Sequence, residues 1–253
     1  MKTITSSLLS SYPKVTASFT TRHGGVSQPP YSNANLAFHV GDNVVDVEQN
    51  HLLLSKALGY DVKKLVFMSQ IHSDKIVIVD ETMNFMTPPQ CDAIITNCPN
   101  IPLMVMSADC TPILLYDPFN DAIGAVHAGR EGALNEILPK TLRAMGKKYG
   151  TKLNEIHILL GPSIHGCCYE VNEPIAKNVV EKGYIDSLQR IGEKVFLDVN
   201  TILVQQLERL GIQKKHIEII DECTSCFHET YFSYRADAQH TGRIAGVIVL
   251  QST

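Results

Sequence analysis

Tryptophan is absent from the 253 residues, and aromatic side chains make up only 7% of them. The chain therefore lacks the stacking platforms used for single-stranded nucleic acids and the aromatic anchors of many protein interfaces. An excess of positive charge is missing too. Twenty-two Lys and Arg against 26 Asp and Glu leave a formal net charge of −4, which provides no general field to hold a phosphate backbone. Long hydrophobic runs are also wanting. The first 18 residues contain nothing longer than Leu8-Leu9, and later runs such as Leu103 to Met106 and Ile244 to Leu250 are short, whereas a membrane-spanning helix needs roughly 20 apolar residues. These absences argue against nucleic-acid and membrane partners, favour a small-molecule partner, and make a cytoplasmic location the expectation.

What is present suits a globular protein. Hydrophobic residues are 44% and charged residues 19% of the chain, enough to bury a core without cross-links. No repeat, low-complexity tract or Pro/Gly/Ser linker interrupts it, so residues 1–253 read as one domain. Seven cysteines are expected to be thiols in a reducing compartment, with at least one available for chemistry.

Short β-branched runs predict strands at Leu65 to Ser69, Lys75 to Val79, Asp92 to Thr96, Leu103 to Ser107, Ile113 to Tyr116, Ala122 to Val126, Ile156 to Leu160, Ile217 to Ile220 and Ile244 to Leu250. Three helices are predicted among them. Asp46 caps the first, which carries Val47, Leu54 and Leu58 on one face and ends at Gly59. The second runs from about Ala133 to Tyr149, kinked or split by Pro139, and the third starts at Asp198 and ends before Gly211. Helices covering a mixed sheet imply an α/β or α+β layered architecture.

The most informative chemistry lies between residues 69 and 132. A turn centred on Pro118 and Phe119 sets Cys110 opposite His127 across a hairpin mouth; a longer loop shifts that register by about two residues. Such a pair has two functional readings, besides that of ordinary buried residues. His127 can activate the Cys110 thiol as a nucleophile, as in a metal-free hydrolase or deamidase. Alternatively both ligate a metal with His72, at the end of the strand before it, leaving zinc an open fourth position.

The blocks Thr21 to Ser27, Gln70-Ile71-His72, Ala108 to Pro112, His127-Ala128-Gly129, Gly161 to Ile164, Cys167 to Val171, Phe232 to Arg235 and Thr241-Gly242-Arg243 resemble the YfiH-like family in composition and order. The resemblance covers residues 20 to 246 and implies a layered α/β/β/α sandwich with mixed sheets, similar also to the catalytic domain of cytotoxic necrotising factor. It implies one zinc per chain on His72, Cys110 and His127. It further implies purine nucleoside chemistry: phosphorolysis of adenosine, inosine, guanosine and methylthioadenosine, together with adenosine deamination. The family also carries a laccase or polyphenol oxidase label. A copper relay needs several closely spaced imidazoles, and the ten histidines here include no His-x-His pair, so that reading is disfavoured.

One departure stands out. The family's usual Trp-Arg-Gly after His-Ala-Gly is Arg130-Glu131-Gly132 here, which suggests a lost cation beside the metal. With the resemblance, Arg22, His23, Gln70, Arg235 and Arg243 become candidate contacts for phosphate or nucleoside. Asp109 is a candidate catalytic residue, either a proton shuttle or a partner that orients a ligand histidine. Cys223-Thr224-Ser225-Cys226 has the spacing of half a zinc ribbon, but no second such pair exists. It reads as packing thiols, and Cys167-Cys168 as small buried residues after a Gly-Pro turn. A non-catalytic binding protein is the remaining alternative.

Overall fold

The structure, a computed structural model, describes residues 1–252. Its strands in chain order are β1 (Thr3–Thr5), β2 (Val15–Thr20), β3 (Val66–Phe67), β4 (Ile76–Ile78), β5 (Ala93–Thr96), β6 (Leu103–Ser107), β7 (Thr111–Asp117), β8 (Ala122–Ala128), β9 (His157–Leu160), β10 (Glu170–Val171), β11 (Leu188–Ile191), β12 (Lys194–Leu197), β13 (Ile217–Ile219) and β14 (Ile244–Leu250). The α-helices are α1 (Val44–Leu58), α2 (Arg130–Leu134), α3 (Ile137–Tyr149), α4 (Glu173–Glu181) and α5 (Val199–Arg209). Two mixed sheets carry the fold, ordered β1-β2-β14-β6-β3 and β13-β9-β7-β8-β5-β4, with β10-β12-β11 as a small antiparallel sheet.

Strand periodicity sorts the side chains into layers. Along β7, Ile113 and Leu115 face α2, α3 and α5, while Leu114 and Tyr116 face the other sheet. Along β6, Leu103 and Val105 point to the same inter-sheet core, and Met104 and Met106 turn outward to Leu54 of α1. The result is the expected α/β/β/α order of layers. Each fully buried Leu or Ile contributes about 1.5–3 kcal/mol, and three apolar layers are built this way from alternating strands. Gly161 is required by the close approach of the sheets, because a Cβ there would lie 2.4 Å from the Phe19 ring.

The predicted strands are all present, with ends moved by a residue or two. The hairpin register differs from the expected one. Asp117 accepts from the N–H groups of Phe119 and Asn120, giving a four-residue turn over 118–121, so Pro112 pairs with His127 and Thr111 with Ala128. Asn43, not Asp46, caps α1 by accepting from Val45 N. The second predicted helix is split at Asn135-Glu136, where Glu136 adopts φ 59°, and Pro139 sits in the first turn of α3, where its missing N–H is harmless.

His51 pins α1 to the chain before it. Its Nε2 bonds Leu36 O at 2.8 Å and its ring stacks on Phe38 with centroids 5.3 Å apart. Burial drives its pKa down from 6.5 to about 4. The unfolded chain takes up this proton first, so stability holds above pH 6.5 and falls between pH 6.5 and 4, by about 3 kcal/mol from this group. In His51→Gln, which keeps a donor for Leu36 O, urea unfolding followed across that range should show a shallower acid decline than in the parent chain.

Candidate active site

Two loops and the end of one strand bring His72, Cys110 and His127 together. His72 follows β3 with φ 56°, Cys110 lies in the tight link between β6 and β7, and His127 is near the end of β8. One donor atom of each lies within 4.8 Å of the others, and the two imidazoles stand edge to face with centroids 4.9 Å apart. In the observed register Cys110 and His127 are diagonal rather than direct neighbours. Gly129 opens the space between them: a Cβ there would lie 3.0 Å from Cys110 Sγ and 3.4 Å from the His72 ring.

Asp92, one residue before β5, organises this cluster. Its Oδ1 accepts from His127 Nδ1 at 2.9 Å and from His72 N at 3.0 Å, and its Oδ2 accepts from the Ser73 N–H and hydroxyl at 2.6 and 2.9 Å. Burial opposes charge on Asp92, but the bonds from His127 and Ser73 outweigh it and hold the carboxyl down at about 2. With Nδ1 so occupied, His127 directs Nε2 at the sulfur. Burial likewise opposes the Cys110 thiolate, yet His127 and His72 pull the thiol below its ordinary value; burial also opposes charge on His127, but Cys110 and Asp92 raise it above its ordinary value. The two imidazoles favour the thiolate at Cys110, and two imidazoles with a thiolate form a donor set suited to zinc.

The cluster lies at a cavity of about 560 Å³, within the range of small-molecule sites. Arg235, Arg243, Tyr169, Tyr234 and His39 also line it. Arg235 donates to the carbonyls of Cys168 and Glu170, and Arg243 to those of Thr241 and Gly242, which fixes both guanidiniums.

Other expected contacts are placed differently. Arg22 does not line the cavity; its guanidinium is held by Ser32 O, His228 O and Asp237 against the Phe232 ring. His23 is likewise outside the cavity lining, and its carbonyl accepts from Lys2 N. Gln70 reaches the cavity, but its amide is occupied by both backbone groups of Met106, at 2.8 and 2.9 Å. Asp109 is not the carboxylate that orients a ligand histidine. Its oxygens accept from Thr224 Oγ1, Ser233 Oγ and Arg235 N, tying the 224–235 loop to the cavity.

The profile described as multi-copper polyphenol oxidoreductase laccase matches residues 16–251. The chain belongs to this laccase family. A protein of Corynebacterium glutamicum named purine nucleoside phosphorylase is 39% identical over 235 residues, covering 92% of this chain and 93% of that one. One of Streptomyces coelicolor with the same name is 36% identical, covering 92% and 94%. The crystal structure of Bacillus licheniformis hypothetical protein YfiH superposes with a TM-score of 0.91 at 30% identity, over 95% of this chain and 94% of that one.

Within this laccase-family chain, the Arg130-Glu131 departure does not remove a cation from the site. Arg130 lines the cavity and is steadied by Glu131, with Nη2 2.7 Å from Oε1. The guanidinium is supplied one position earlier than in the usual Trp-Arg order. Asp92 was hidden in the sequence because it reads as the first residue of a buried strand; its only signal is a carboxylate in front of an otherwise apolar run.

Proposed function

We propose that the chain is a zinc-dependent purine nucleoside phosphorylase, acting on adenosine, inosine, guanosine and methylthioadenosine, with adenosine deamination as a second activity. The observation that carries this reading is one cavity that joins the His72, Cys110 and His127 donor set to Arg130, Arg235 and Arg243 and to the rings of Tyr169 and Tyr234. The name purine nucleoside phosphorylase, borne by relatives that match more than nine-tenths of this chain, supports the phosphorylase part of the reading.

In phosphorolysis a phosphate oxygen bonds to ribose C1′ as the C1′–N9 bond breaks. The electron pair leaves with the purine, which gains a proton, and ribose 1-phosphate remains. Arg130, Arg235 and Arg243 suit phosphate because each keeps N–H donors beyond those used within the protein. Tyr169 and Tyr234 line the same cavity as aromatic surface for the base, with the Arg235 and Arg243 guanidiniums over their rings. Asp92 holds the His127 tautomer, and Gly129 leaves the ligand atoms unobstructed. His72, Cys110 and His127 would hold a zinc ion, which would supply Lewis acidity. In deamination, water adds at purine C6 and ammonia leaves.

Purified protein incubated with inosine should release hypoxanthine and ribose 1-phosphate only when phosphate is present. Hypoxanthine without phosphate indicates hydrolysis, and no turnover of inosine or adenosine by zinc-loaded protein sinks the assignment. In Arg130→Ala the KM for phosphate should rise about tenfold, the loss of one charge-assisted bond, while the KM for inosine moves less than about twofold.

The Cys110–His127–Asp92 relay favours one second reading, a metal-free thiol hydrolase or deamidase. That enzyme stays active in chelator and dies on alkylation of Cys110; a zinc enzyme loses activity to the chelator.

A further inference from the structure

Four of the seven cysteines gather at a second place. Cys167 and Cys168 lie in the turn after β9, and Cys223 and Cys226 in the turn after β13. Their sulfur atoms all lie within 4.8 Å of one another. Cys167 Sγ is 3.7 Å from Cys168 Sγ and 3.5 Å from Cys226 Sγ, and Cys168 Sγ is 3.4 Å from Cys226 Sγ. The expected packing role fails on exposure, since Cys167 and Cys226 are exposed and only Cys223 is buried. The adjacent pair supplies the partners that Cys223-x-x-Cys226 lacks in sequence.

We propose that Cys167, Cys168, Cys223 and Cys226 bind one zinc ion as a tetrathiolate centre, separate from the His72, Cys110 and His127 set. A tetrahedron with Zn–S bonds of about 2.3 Å has S···S edges of about 3.8 Å, close to the three separations above. The backbone N–H of His165 points at Cys223 Sγ from 3.5 Å, the kind of donor that steadies a metal thiolate. Binding exchanges the thiol protons for one divalent cation and releases them to solvent. A disulfide, by contrast, needs an external oxidant.

The centre joins the two loops that wall the cavity. Thr224 N bonds Ser163 O, and Thr224 Oγ1 bonds Asp109 beside Cys110. Tyr169 follows Cys168 directly, and Arg235 clasps the Cys168 carbonyl. Zinc here acts as a staple that fixes Tyr169 and Arg235 without touching substrate.

The test uses full-length Cys110→Ala, in which the first donor set is broken. Purified under reductant without chelator, it should retain about one zinc per chain, and cobalt(II) exchanged into it should show the intense thiolate-to-metal charge transfer of a tetrahedral four-sulfur site. Adding Cys223→Ser and Cys226→Ser should remove both the metal and the spectrum. In the unsubstituted chain, zinc should protect Cys167, Cys168, Cys223 and Cys226 from iodoacetamide, as read by peptide mass spectrometry, and chelator should expose them. A folded Cys110→Ala chain without metal, or equal alkylation of these four thiols with and without zinc, overturns the proposal. Neither readout depends on nucleoside turnover.

Discussion

Cys110→Ala should abolish nucleoside turnover while leaving the fold in place. The substitution removes one of three donor atoms that lie within 4.8 Å of each other, and two imidazoles alone hold zinc far more weakly than the full set. It deletes a single sulfur from a side chain in a link between two strands that are paired along their whole lengths, so little packing is lost. We expect kcat/KM for inosine to fall at least about a thousandfold, about 4 kcal/mol of transition-state stabilisation. Far-ultraviolet circular dichroism and the thermal midpoint should stay near the parent values. A fully active Cys110→Ala would remove Cys110 from both the zinc reading and the thiol-hydrolase reading at once.

The outline of the site was legible because local sequence carries it. His72 closes a predicted strand, and Cys110 and His127 flank a turn marked by Asp117-Pro118. Hydrophobic runs located β5 through β9 because those strands are buried on both faces and carry no competing pattern. The missed elements are of another kind. β1 and β11 are short and bury no residue, β12 has four residues with only Val195 and Leu197 buried, β2 is buried but broken in pattern by Thr16, Ser18 and Thr20, and α4 follows its cap Asn172 with Pro174 in its first turn, signals that resemble a loop. The turn length after β7 could not be read from Asp-Pro alone, because the Asp117 carboxylate extends it by bonding Phe119 and Asn120. Long-range convergence was the least visible feature. Arg22 reads as an anion contact until Asp237, more than two hundred residues away, takes its guanidinium, and Cys167-Cys168 reads as packing until Cys226 arrives beside it.

Asp92→Asn should be the most damaging change outside the donor set. Asp92 is fully buried, and its two oxygens receive only donors: His127 Nδ1 and His72 N on one side, the N–H and hydroxyl of Ser73 on the other. An asparagine must turn its NH₂ to one of these sides. Facing Ser73, it sets donor against donor in a buried place, at a cost of about 1–3 kcal/mol. Facing His127, it can be satisfied only if Nδ1 becomes an acceptor, which puts the proton on Nε2 and blocks that nitrogen as a ligand. Either choice weakens the site, so the zinc affinity of the His72, Cys110 and His127 set, measured by competition with a chromogenic chelator in a Cys223→Ser, Cys226→Ser background, should fall about 10–100-fold, with a lower thermal midpoint. Asp109→Asn provides the contrast, since that carboxylate touches Thr224, Ser233 and Arg235 N but no donor residue. It should loosen the 224–235 loop and lower stability while leaving the zinc affinity of the His72, Cys110 and His127 set within about threefold, a difference of less than about 0.7 kcal/mol. Equal affinities for Asp92→Asn and the parent chain would show that the tautomer of His127 is set by something other than Asp92.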